Sequence, residues 1–134
     1  MEPYEARTAT LRVLIVEPGK APYEKEIPSG LAAMQNIVGG LIQTLYLFEE
    51  PVALICNDEG KLLGLPMNRA LWEPHTGTLY DIVCGTFLLC GAPPNEENFT
   101  SLSDEQFQHY KTVFAKPELF LTICGHIVVL PCEE

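Results

Sequence analysis

The sequence predicts an α+β fold: a mainly antiparallel, mixed β-sheet with two helices packed on it. Three observations carry this reading. Short runs rich in Val, Ile, Leu and aromatic residues recur along the chain, separated by Gly, Pro, Asn and Asp. Only two segments show helical spacing. Successive strands lie close enough to pair as hairpins, which disfavours a doubly wound sheet with long crossovers. The 134 residues allow one domain with a real core. Residues 1–8 are polar and read as loosely held, and residues 91–102 as the one clear loop.

In chain order, the run Leu11–Glu17 is apolar almost throughout, so it reads as a strand covered on both faces and stopped at Pro18-Gly19. Tyr23–Ile27 alternates charged and large residues, as an edge strand does. Ser29 offers an N-cap for a helix whose stripe is Leu31, Met34, Ile37 and Val38, ended at Gly39-Gly40. Leu41–Phe48 reads as another strand.

The central stretch from Val52 to Gly91 reads as a three-stranded meander. Val52–Cys56 and Lys61–Leu65 form a hairpin across Asn57-Asp58-Glu59-Gly60, with Gly60 supplying positive φ. After a second reversal at Pro74–Gly77, Leu79–Cys90 returns as one long strand. Ser103 with Gln106 three residues on is a capping-box pattern. It opens a helix with Phe107, Tyr110, Val113 and Phe114 on its apolar face. Leu119–Leu130 is one bent strand or two short ones, divided at Gly125-His126.

Composition removes several functions. The formal charge is −10, from 8 Lys and Arg against 18 Asp and Glu, which argues against direct nucleic-acid binding. The acids are scattered, as a solubility surface requires, although a charge mimic of nucleic acid stays open as the alternative. No run approaches the ~20 apolar residues of a membrane span, and the first residues have no signal-peptide core. The cytoplasm is the expected compartment. The five cysteines, Cys56, Cys84, Cys90, Cys124 and Cys132, form no CxxC pair, so neither zinc nor another cofactor is expected.

Several ordered blocks resemble an uncharacterised family, a domain of unknown function found in small proteins of gut bacteria and their phages and mobile elements. They are Val16–Tyr23 (VEPGKAPY), Val38-Gly39-Gly40, Cys56–Lys61 (CNDEGK), Gly64–Ala70 (GLPMNRA) and Gly85-Thr86-Phe87. The resemblance runs from Leu11 to about Phe114. It implies an intracellular protein, encoded by a phage or mobile element, and supplies no activity.

Candidate chemistry rests on four residues. Lys20, after Pro18-Gly19, could hold one phosphate or carboxylate, or be a solvated turn lysine. Arg69 lies between apolar residues, and its planar fork suits an anion; an internal ion pair is the competing reading. Asn68 beside it offers a donor and an acceptor. Thr86 either lines a pocket, or its neighbour Gly85 makes room for a bulky group such as Trp72. The expectation is a non-enzymatic protein in which Lys20, Asn68, Arg69 and Thr86 bind a small anionic, nucleotide-type ligand. Such a protein would be a self-associated sponge that withholds a signal from host immunity. The alternative is an acidic inhibitor that binds a host protein. A third reading, a thiol-dependent enzyme pairing Cys84 or Cys124 with His126, has no local signature behind it.

Overall fold

A computed structural model describes residues 10–73 and 75–132. The N-terminal stretch expected to fray, Pro74 of the expected second reversal and the last two acids lie outside the described residues. The fold is α+β, with nine strands and two helices among the described residues, and every strand ladder is antiparallel. No helix there is long and apolar enough to cross a membrane.

Strands β1 (Thr10–Val16), β2 (Tyr23–Pro28), β3 (Ile42–Leu45), β4 (Val52–Asn57) and β7 (Phe87–Gly91) form one sheet in the order β2-β1-β7-β4-β3. Its two faces carry separate cores, as the apolar run of β1 requires. Leu14 and Val16 point to one, Val13 and Ile15 to the other. Helix α1 (Leu31–Val38) covers the second face with Met34, flanked by Ala33 and Ile37. Helix α2 (Asp104–Val113) covers the first with Phe107 and Tyr110, followed by Phe114 just past its end. The same face is closed by a two-stranded ribbon, β5 (Met67–Trp72) with β6 (Leu79–Cys84), through Leu71 and Val83. The result is three layers.

The helix ends test local chemistry directly. The capping box of α2 is formed in both directions, Gln106 N–H to Ser103 Oγ and Ser103 N–H to Gln106 Oε1. Helix α1 ends on Gly39 in the left-handed region, as expected. Its N-cap is Gly30, not Ser29, and no side chain caps it.

The central meander is not what the sequence suggests. Residues 58–64 form turns instead of a strand, with Leu63 N–H bonded to the Glu59 carbonyl and Leu65 N–H to that of Gly60. Leu62 and Leu63 are exposed, so the KLLGL run supplies no core face. Strand β4 pairs with β3 and β7 instead. Gly60 is absent from the positive-φ residues; what it provides is close approach, since a Cβ there would sit 2.6 Å from the Cys84 carbonyl oxygen.

The expected long strand Leu79–Cys90 is broken at Gly85, whose φ of +89° turns the chain from the ribbon into the main sheet. The neighbour that needs space there is Leu65, not Trp72. The last apolar run is two strands, β8 (Glu118–Ile123) and β9 (His126–Pro131), joined by Cys124-Gly125 with both residues at positive φ. Cys124 is therefore an exposed hairpin tip and not a strand residue.

Candidate functional site

The four residues expected to bind an anion are drawn partly together, for another purpose. The β5–β6 register slips between Met67 and Arg69, leaving Asn68 out of the ladder. Such an irregularity re-aims side chains, and here consecutive Asn68 and Arg69 are both buried. Arg69 is only 1% exposed.

All five donors of its guanidinium are used by the protein. Nε and Nη2 donate to the Phe114 carbonyl at 3.3 and 2.9 Å. Nη2 also donates to the Lys20 carbonyl at 2.6 Å. Nη1 donates to the Asn68 carbonyl and to its Oδ1 at 3.3 and 2.8 Å. Asn68 Nδ2 in turn donates to the carbonyls of Val16 and Gly85, at 2.8 and 2.9 Å. The knot joins the end of β1, the Lys20 turn, the ribbon, the Gly85 bend and the end of α2.

No carboxylate is bonded to this cation among the described residues, and burial pushes its pKa down from the ordinary arginine value. Part of the compensation comes from the helix. Phe114 is the C-cap of α2, so the guanidinium sits at the negative end of the helix dipole.

This arrangement engages the expected site residues Asn68 and Arg69 within the protein itself. Arg69 and Asn68 have no donor left for a ligand and line none of the described cavities. The competing reading of an internal carboxylate pair fails as well, because the acceptors are carbonyls and an amide. Lys20 contributes its backbone oxygen to the knot, while its ammonium is 68% exposed beside Glu17 at 3.3 Å. Thr86 is half-buried after the bend and lines none of these cavities either.

Three of the five cysteines, Cys56, Cys84 and Cys90, are buried. Burial raises the thiol pKa of Cys56 to about 11 and that of Cys90 to about 12, and raises Cys84 as well. Among the described residues no hydrogen bond joins His126 to Cys84 or Cys124. Timed alkylation of the native chain followed by mass spectrometry should modify Cys124 first and half-buried Cys132 later. Cys56, Cys84 and Cys90 should react only under denaturing conditions; early modification of Cys90 would contradict this packing.

The concave feature with the most distinctive lining lies across the ribbon and α2. It has a volume of ≈ 290 Å³, and its walls include Phe48, Trp72, His109, Tyr110, Val113 and Glu118. Trp72, the single tryptophan of the chain, is 49% exposed, and Val113 is exposed although it sits on the apolar stripe of α2. Phe48 packs tilted against Tyr110 with centroids 4.8 Å apart, and His109 meets Tyr110 edge to face at 4.6 Å, so the aromatic wall is braced. The Tyr110 hydroxyl is pushed up to about 12 by burial and by the charge of Glu50. Glu118 anchors the lower wall by accepting the Ala70 N–H at 2.7 Å. The available sequence signal was Val113, which extends the stripe past the surface that α2 buries.

A scan against family models matches residues 11–115 to the Domain of unknown function (DUF3846). The chain belongs to this family. No curated protein matches the chain, and no solved structure does.

Proposed function

We propose that the chain is a non-enzymatic binding protein that acts by protein contact, holding a bulky apolar side chain of its partner in the groove at Trp72. The observation that carries this is the groove itself: a half-exposed tryptophan within a braced aromatic wall. Soluble proteins seldom leave such a feature uncovered without an interaction to serve. Its volume suits one or two side chains rather than a nucleotide. Carboxylates stand near it, with Glu118 in the wall and Glu50 felt by Tyr110. Together with the chain's charge of −10, they favour a partner segment whose apolar anchor is flanked by Lys or Arg. This develops the acidic-inhibitor reading. Sequestration of a nucleotide-type signal, in a phage setting or any other, would need cations other than Arg69.

Trp72 makes the test direct, because any change in indole emission reports on the groove. The chain would be titrated with synthetic peptides bearing a central Leu or Phe between lysines, with their acidic counterparts, and with linear and cyclic nucleotides. The expected result is an emission change with the basic peptides that weakens with salt and disappears in Val113→Glu. A response to nucleotides with none to the peptides would reverse the assignment.

A further inference from the structure

We infer that a second copy of this chain pairs with β9, edge to edge and antiparallel, building a four-stranded β8–β9–β9–β8 sheet across a two-fold axis. Six described strands have an outer edge, namely β2 and β3 of the main sheet and both strands of each ribbon. The β5–β6 ribbon is interrupted by two register shifts, and β8 opens on Glu118, whose carboxylate is bonded to the Ala70 N–H. Strand β2 closes one side of the main sheet and carries Glu24, Lys25 and Glu26 in succession. Strand β3 closes the other side with four residues only. Both are protected in the usual ways, by charge and by shortness. Strand β9 has neither protection: His126–Val129 and Leu130 carry no acid, lysine or arginine, and its register with β8 runs through six pairs without a bulge.

The hairpin geometry says which backbone groups are on offer. Cys124-Gly125 is a two-residue loop with both φ values positive, so Ile123 and His126 flank it as a hydrogen-bonded pair. The ladder then alternates. His126, Val128 and Leu130 turn their N–H and C=O groups toward β8, while Ile127 and Val129 turn theirs outward. Among the described residues no backbone hydrogen bond reaches those outward groups. A two-fold axis at Val128 pairs Ile127 of each copy with Val129 of the other. All four outward N–H groups and their carbonyls are then used, and Pro131, which has no N–H, stays outside the essential pairs. The contact is isologous and closes as a dimer.

Side chains and charge favour the same occupant. Leu119, Leu121, Ile123, Ile127 and Leu130 are each between 39% and 52% exposed, and a lone two-stranded hairpin is marginal in water. Doubling the ribbon covers apolar area on both sides of the new junction. A copy of this chain brings ten net negative charges, so most approaches repel. The ribbon from Glu118 to Pro131 holds a single carboxylate, Glu118, already bonded to the ribbon β5–β6. Two copies meeting over it bring little charge together.

The experiment is sedimentation velocity on the full chain over a range of micromolar concentrations, on wild type, Val129→Pro and Val128→Cys. Wild type should sediment as a dimer. Val129→Pro removes only an outward N–H, so its circular dichroism should match wild type while its mass falls by half. Val128→Cys, made with Cys124→Ser and Cys132→Ser, places the two thiols on the axis. Backbones there are about 4.5 Å apart, within the range a disulfide spans. Oxidation should give a covalent dimer. A monomeric wild type, a folded Val129→Pro dimer, or a dimer in which Val128→Cys does not cross-link would each overturn the inference. The groove titration is independent of this outcome, since Val113→Glu should leave the mass unchanged and Val129→Pro should leave the Trp72 response unchanged.

Discussion

Replacing Arg69 by methionine is expected to lower the free energy of unfolding by about 3–5 kcal/mol, read from the midpoint of a urea or guanidinium transition. Methionine restores most of the volume, so the loss isolates the hydrogen bonds. The carbonyls of Phe114 and Asn68 would keep their burial and lose their donor, and the partly buried Lys20 carbonyl would lose one as well; an orphaned buried acceptor costs about 1–3 kcal/mol. The end of α2 would also lose the cation at its negative pole. Against a total stability of about 5–15 kcal/mol this is a large fraction. Arg69→Lys should recover little, because an ammonium has three donors and no planar fork to span acceptors from three segments. An unchanged midpoint for Arg69→Met would show that those carbonyls find other partners. The same argument makes Arg69→Ala a poor probe of ligand binding here, since any effect would pass through stability.

Gly60→Ala is expected to cost about 1–3 kcal/mol. The added methyl would lie 2.6 Å from the backbone oxygen of Cys84, and a main-chain atom inside a ladder cannot swing aside as a side chain can. The strain should appear as a lower thermal midpoint. It should also move the turn at 58–64 against β6, loosening the ion pair of Lys61 with Asp81 that bridges them. Gly64→Ala provides the contrast: φ is +72° there but the space is open, so its penalty is the left-handed backbone alone, about 1–2 kcal/mol. Equal midpoints for Gly60→Ala and wild type would contradict the close approach.

Where sequence and structure agree, the information is local. The capping box of α2 needs only Ser103 and Gln106, three residues apart, and the left-handed end of α1 needs only Gly39. The double-faced burial of β1 follows from its unbroken apolar run. Where they part, the deciding contact is distant. Lys61–Leu65 has the composition of a strand, but β4 already has β3 and β7 on its two sides, so no edge remains for a hairpin partner. Arg69 announces itself as a buried cation in search of acceptors. Nothing near it in the chain says that the main acceptor is the Phe114 carbonyl, 45 positions on. A guanidinium held by carbonyls and one held for a ligand look alike until the fold is known. The Trp72 groove was hidden for a similar reason, since the exposure of Val113 depends on where β5 stops.

The last residue the Arg69 knot grips is Phe114, and the family match closes at residue 115. The hairpin beyond it is tied to the ribbon β5–β6 through Glu118, while the Cys132 N–H to Pro117 carbonyl bond closes its own open end. The junction at 115–117 therefore separates a body tied through its interior from a hairpin that stands outside it. Substitutions confined to that hairpin should therefore alter self-association while leaving the unfolding midpoint of the body unchanged.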